Sequence, residues 1–273
     1  MKSIFTNKIK FLGAFILASG LTFGQTAADK RVQAGLTTNN GMNLLSLGTT
    51  RMKANGLGGN FSIGIVLHSS FKSSKNLGIA TGLDFDFASQ KYATNVPTYY
   101  RYVDTDILSK EDNGTGTSTF FLTERAQKST YISVPLMLLF RTDFIGDFRY
   151  FGKFGIRNSF LVASKFNDYG QKVNNITGNL EELVENNNMK SPGEAFLYQG
   201  SVGLSAGAEW NFVGSTCLVL EGGYYYGVTP QFLERKENKR TTYTFDNELI
   251  PNKVYYSNKS TMSQILFRIS LLF

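Results

Sequence analysis

The sequence predicts an all-β fold: eight antiparallel strands in an up-and-down meander that closes into a barrel. Three observations predict it. Eight segments alternate apolar with small or polar residues at period two. The connections between them alternate short and long. The composition joins 27 glycines, 23 phenylalanines and 14 tyrosines to only 5 prolines and one histidine, which suits strands, tight bends and aromatic borders.

The first strand is expected over residues 31–42, with Gln33, Gly35, Thr37 and Asn39 on one face and Val32, Ala34 and Leu36 on the other. A Gly-, Thr- and Asn-rich connection fills 43–57. The second strand, 58–69, sets Phe61, Ile63, Ile65 and Leu67 against Asn60, Ser62, Gly64 and His68. A short turn at 71–76 leads into the third, 77–92. There Ile79, Leu83, Phe85 and Phe87 alternate with Gly78, Ala80, Gly82, Asp84 and Asp86. Residues 93–129 read as a hairpin projecting beyond the others, with a turn cluster at 110–116.

The fourth strand, 130–141, carries Ile132, Val134, Leu136, Leu138 and Phe140 on one face. Pro135 falls on the other face and predicts a kink, because proline gives no ladder N–H. After a short turn at 142–148, the fifth strand (149–163) opposes Phe154, Ile156, Phe160 and Val162 to Lys153, Gly155, Arg157 and Ser159; Asn158 breaks the pattern. The polar connection 164–197 is expected to hold a helical turn or two at 180–185. The sixth strand, 198–212, opposes Val202, Leu204, Ala206, Ala208 and Trp210 to Ser201, Gly203, Ser205, Gly207 and Glu209.

A tight turn at 213–215 precedes the seventh strand, 216–228, with Leu218, Leu220, Tyr224 and Tyr226 opposite Cys217, Val219, Glu221, Gly223 and Tyr225. The last long connection is 229–260. The eighth strand, 261–273, places Ile265, Phe267, Ile269, Leu271 and Phe273 opposite Gln264, Arg268 and Ser270, with Leu266 and Leu272 as exceptions.

A meander with this spacing puts the three tight turns on one side and the four long connections on the other. That asymmetry belongs to outer-membrane barrels, whose turns lie in the periplasm and whose long loops lie outside the cell. The mean hydropathy is near neutral, as expected when only every second residue meets lipid. The N-terminus fits export: Lys2, Lys8 and Lys10 precede an apolar segment at 11–23, and Thr22 and Gly24 are small residues at a cleavage position before Gln25. Ala28 offers a second cut. The expected division is a signal peptide over 1–24 and a barrel domain over 25–273, about 249 residues in one domain.

The polar face is rich in glycine and small residues, as a narrow interior requires, and lacks the dense Lys and Glu of a water-facing exterior. The apolar faces are therefore assigned to lipid, with Trp210, Tyr150, Tyr224 and Tyr226 as interfacial residues. The lumen set becomes Asp84, Asp86, Lys153, Arg157, Glu209, Glu221 and Arg268, with His68 near the periplasmic end. Unpaired charges there would cost several kcal/mol, so a paired plug network is expected. Glu221 with Arg268 is the most specific expected pair.

Catalytic signals are poor. The single histidine sits at the periplasmic end and reads as structural, and no metal-ligand spacing, phosphate loop or Cys–His pairing is present in the sequence. One cysteine, Cys217, rules out an intramolecular disulfide. The net charge of +7 falls to +4 once the leader's three lysines are removed, too little to argue for nucleic acid. No cofactor is expected. The loop charges Glu111, Asp112, Glu181, Glu182 and Glu185 read as solvated surface. The basic run Arg235, Lys236, Lys239 and Arg240 is the better candidate for lipopolysaccharide phosphates or a partner.

The chain resembles the PorT-like outer-membrane β-barrel family. The resembling segments are 131–139 (YISVPLMLL), 150–163 (YFGKFGIRNSFLVA), 78–86 (GIATGLDFD), the leader ending Phe-Gly-Gln, and the terminal Phe273. The strand ending in Phe273 also resembles the signal read by the barrel-insertion machinery. The resemblance implies a non-enzymatic outer-membrane barrel, structural or interacting, with a secretion or envelope-assembly accessory role. The alternative function is a small passive pore. The expected partners are outer-membrane lipid and lipopolysaccharide, the insertion machinery, and a secretion or envelope protein.

Overall fold

A computed structural model describes residues 31–103, 107–109, 117–190, 195–213, 216–232, 240–246, 252–256 and 259–273. The expected leader, the turn cluster at 110–116 and the basic residues Arg235, Lys236 and Lys239 lie outside the described residues, as do Glu111 and Asp112. Every described element is a strand: β1 (Val32–Leu47), β2 (Met52–Ala54), β3 (Gly58–Ser70), β4 (Leu77–Val103), β5 (Ile107–Ser109), β6 (Thr117–Arg141), β7 (Phe148–Val173), β8 (Leu180–Met189), β9 (Tyr198–Val213), β10 (Thr216–Gly227), β11 (Thr242–Phe245), β12 (Lys253–Tyr255) and β13 (Ser260–Leu272).

Eight of these close the expected barrel. The ring runs β1, β3, β4, β6, β7, β9, β10, β13 and back to β1, with each neighbour antiparallel. The seam joins the first and last strands from Gly35↔Leu272 to Leu47↔Ser260. Closure removes the sheet edges that would otherwise template aggregation.

The period-two pattern sorts the two faces. Ile63, Ile65, Phe85, Leu136, Phe154, Leu204, Leu220 and Phe267 are all exposed on the outside. The residues between them are buried inside. Asn158 breaks the outer pattern, but its amide donates to the Val134 carbonyl (3.2 Å) and its Oδ1 accepts from the Tyr198 hydroxyl (2.7 Å). Near the short turns, Phe148 stacks on Trp210 (6.1 Å between ring centroids), an aromatic border to the apolar band.

Three strands run well past that band. β4 has 27 residues, β6 has 25 and β7 has 26, whereas about 9–11 tilted residues cross a bilayer. The projecting hairpin expected over 93–129 is thus built from continuations of β4 and β6, paired as far as Val103↔Thr117 with one register shift between Ala93 and Thr98. The helical turn expected at 180–185 is not formed. That segment lies in β8, which pairs antiparallel with β7 after a turn at 174–179 in which Gly178 takes φ 72°. The neighbouring β7 extension offers a ladder, and that outweighs the local helix preference of Leu and Glu.

β2, β5 and β11 pair with β4, and β12 pairs with β11, so the long-loop end is a sheet extension with its own core. Tyr92, Tyr100, Phe120, Leu122, Phe166 and Phe232 form that core. A second apolar cluster, including Leu139, Phe151, Cys217, Val219 and Leu272, fills the barrel toward the short turns.

At Pro135 the expected kink takes a mild form. Rungs Thr81↔Leu136 and Asp84↔Ser133 flank it in one register, and the Thr81 hydroxyl donates to the Pro135 carbonyl at 2.8 Å. Bulges do occur elsewhere. The β6–β7 register shifts between Thr130 and Tyr131 and again between Leu122 and Glu124, and each extra residue flips the side chains beyond it to the other face.

Candidate functional site

The polar residues of the barrel interior are the candidate site. They form layers stacked along the axis, set by register. One ladder row runs Asp86↔Ser62↔Asn39↔Arg268↔Glu221↔Gly207 across six strands. Hydrogen bonds follow it: Asn39 donates to the Ser62 hydroxyl (2.6 Å), and Arg268 Nε donates to Asn39 Oδ1 (2.7 Å).

The central layer joins two arginines to two aspartates. Arg157 donates to Asp84 Oδ2 (3.0 Å) and to both oxygens of Asp86 (2.8 and 2.7 Å). Arg268 reaches Asp84 Oδ2 at 2.8 Å. The Ser133 hydroxyl makes a short hydrogen bond to Asp86 and lies 2.6 Å from the Ser159 hydroxyl. Beside this group Lys153 Nζ donates to Glu221 Oε2 (2.7 Å), and the Ser205 hydroxyl donates to Oε1 (2.6 Å). Arg157 is 0% exposed, and none of these six charged residues exceeds 7%.

Glu221 and Arg268 are Cα partners across β10 and β13, as the sequence suggests. Their side chains choose other partners. Arg268 turns along the row to Asn39 and onto Asp84, over the small face of β1 and β3, while Lys153 takes Glu221. A glycine makes this reach feasible. A Cβ at Gly64, opposite Asp84, would lie 2.5 Å from Asp84 Oδ1 and 2.9 Å from its Cα.

Glu209 lies in a separate cluster near the short turns. Arg149 donates to Glu209 Oε2 through Nε (2.9 Å) and through a shorter Nη2 bond, and Arg141 Nη2 pairs with Oε1 at 3.0 Å. His68 is buried here, its Nδ1 2.8 Å from Arg141 Nη2. Arg141 and Arg149 were not among the expected lumen residues, although both continue the inward parity of Ser133–Leu139 and Lys153–Arg157. A separate ion pair sits in the extension: Arg125 holds Asp168 in a two-pronged contact (2.5 and 2.7 Å), its guanidinium 4.4 Å from the Phe166 ring. Asp168 was hidden because the bulge near Val162 reverses the parity of β7.

Phe273 closes the seam through its N–H to the Ala34 carbonyl (2.8 Å). Between Ser159, Gln199, Ser201, Thr229, Met262 and Gln264 a void of about 10 Å³ remains, room for about one water. Among the described residues no group of three or more His, Cys, Asp and Glu side chains has metal-binding geometry.

The family comparison agrees with this architecture. The family model described as outer membrane protein beta-barrel domain matches residues 23–233. Solved structures similar to this chain include the attachment invasion locus protein Ail of Yersinia pestis, at 11% identity and TM-score 0.33 over 89% of this chain and 100% of Ail. OprG of Pseudomonas aeruginosa is similar at 10% identity and TM-score 0.38, over 88% and 92% of the two chains. The outer membrane protease OmpT of Escherichia coli is similar at 12% identity and TM-score 0.32, over 92% and 97%. No curated protein matches the sequence. With eight strands closed in a ring, an apolar exterior and a family match over most of its length, the chain belongs to the outer membrane protein beta-barrel domain family.

Proposed function

We propose that this protein is a non-enzymatic outer-membrane barrel with a plugged lumen, acting as an accessory of secretion or envelope assembly through its extracellular extension. The leader over 1–24 and periplasmic short turns belong to this reading. One observation carries it: the interior is crossed by a buried ion-pair network in place of an open path. The ordered strand length lies instead in the extension, where Tyr99, Phe121, Tyr243 and Phe245 cluster (centroids 5.1–5.9 Å apart), with Phe245 exposed. Aromatic clusters of this kind suit protein contacts.

Contact with lipid phosphate is part of the proposal. Lys91, Lys128 and Lys165 are exposed just beyond the apolar band on β4, β6 and β7. Lys128 and Lys165 are direct cross-strand partners, and Lys91 pairs with Ala126, diagonal to Lys128. Like charges directly opposite repel, and an outer-leaflet phosphate between them removes the penalty.

Single-channel recording of the refolded barrel in a planar bilayer tests the plug. Wild type is expected to be silent and Glu221→Ala to leak, because that change strands Lys153. Steady, ion-selective conductance in wild type would replace this reading with a passive pore.

A further inference from the structure

A strand has two hydrogen-bonding edges, and β8 uses one of them. This ten-residue strand pairs with β7 from Phe166↔Met189 to Val173↔Leu180. Its other edge carries no ladder among the described residues; contact resumes beyond the strand, at the Ile107↔Lys190 bridge. Native sheets keep such edges short, cover them, or blunt them with charge, above all lysine. β8 is long and carries glutamate.

The strand is nevertheless fixed in place. Val184 packs on the extension core, and Asn186 Nδ2 donates to the Tyr100 hydroxyl at 3.2 Å. The ladder shifts register between Phe166 and Asp168 and again between Gln171 and Val173, and residues 183–186 between these shifts are regular strand. Leu180 is 46% exposed and Leu183 57%; Tyr169, the β7 partner of Glu185, is 46% exposed.

Charge decides what this edge accepts. Glu181, Glu182 and Glu185 are exposed on β8, and Glu124 is exposed on the other side of Tyr169, its partner across β6 and β7. Among the described residues none of these carboxylates is in an ion pair. Lys172 on β7 and Lys190 past the end of β8 leave the acids in excess. A second copy's β8 would set glutamate against glutamate, and like charges on adjacent strands repel. A basic strand would meet carboxylates instead, and its apolar residues would lie beside Leu183 and Tyr169.

We propose that the free edge of β8 takes up an extended segment of a partner protein as an added strand, with lysine or arginine and apolar residues alternating along one face. Backbone hydrogen bonds supply the attachment, and the glutamates select the partner. This inference rests on the reading that the extension contacts a protein.

The probe is the acetylated, amidated peptide Lys-Thr-Val-Thr-Lys-Thr-Val-Thr-Lys, which reads the same in both directions and so suits either strand orientation. The full-length barrel is held in phosphatidylcholine nanodiscs. Titration calorimetry reads affinity, and hydrogen exchange reads the amides of 180–189. The expected result in wild type is saturable binding with slowed exchange in 180–189. The combined variant Glu181→Lys, Glu182→Lys, Glu185→Lys should bind about tenfold or more weaker, and should instead take the counterpart peptide with Glu in place of Lys. No binding to wild type would mean that the glutamates only keep the edge solvated. Binding without slowed exchange in β8 would mean charge attraction alone, and equal affinity in the variant would mean a site elsewhere. Each of these three results overturns the proposal. With the wild-type barrel still silent in the bilayer, each strikes the β8 edge alone and leaves the plugged barrel standing.

Discussion

Arg157→Met is the most informative single change. It removes the guanidinium and keeps most of the stem's packing. Arg157 makes three hydrogen bonds to Asp84 and Asp86 and is 0% exposed. Without it Asp84 keeps Arg268, but Asp86 keeps only the Ser133 hydroxyl, and the group carries one buried negative charge too many. Stranding a buried charge in this way costs about 3–5 kcal/mol. Asp86→Asn alone leaves Arg157 on Asp84 and should cost less. The double variant should fall short of the summed single effects by roughly 2 kcal/mol, because the two residues share one interaction. The assay is urea unfolding in phosphatidylcholine vesicles, followed by the fluorescence of the single tryptophan, Trp210, at the border of the apolar band. A cost below about 1 kcal/mol for Arg157→Met, or strict additivity, would mean that water solvates these charges. The dry-plug argument would then fail.

Gly64→Ala pushes a methyl against the Leu83 carbonyl and Asp84 of the neighbouring strand and should cost about 1–3 kcal/mol by overpacking, read by the same unfolding assay. Asp168→Asn should loosen the extension while the membrane barrel persists: limited proteolysis would clip β4–β8 faster, with unchanged heat-modifiable migration of the barrel on gels. In the extension, burial raises the Tyr100 phenol above its ordinary value of 10.0, with the Asp168 carboxylate adding to the rise. Burial likewise raises Tyr243. The folded state holds these protons more tightly than the unfolded chain. Their contribution is therefore complete below pH 10 and is lost as pH rises toward the folded values. Phenolate absorbance should show late-titrating tyrosines that ionise together with loss of the extension, and Tyr100→Phe should remove one of them.

The strands that bury one face and show the other to lipid were legible because period two is a strong signal when the two surroundings differ. Phe61–Leu67 and Val202–Trp210 are clear cases. Asp84, Asp86 and Arg157 were legible because charged residues alternated with Leu, Ile and Phe. The lengths of β4, β6 and β7 were harder to read. Beyond Phe87 the outer face meets water, so Ser89 and Lys91 break the alternation although the backbone ladder continues. The bulge near Val162 concealed Asp168 by swapping faces mid-strand. The partners of Glu221 and Arg268 were not legible either, because register fixes which Cα atoms face each other, while long side chains choose among several acceptors across a narrow interior.

The β1–β13 seam sets the timing of assembly. Ser270 donates to the Thr37 hydroxyl across a separation of 233 residues. A chain lacking β13 therefore holds two unpaired edges, on β1 and β10, however much of the meander has formed. Contacts this distant reward the chain only late, so folding should be slow and cooperative, with no stable half-barrel. A growing chain must be held unfolded and away from its own kind until the last strand arrives. An assembly factor that masks one open edge would act as the missing strand, and closure of β1 on β13 would be the step that releases it.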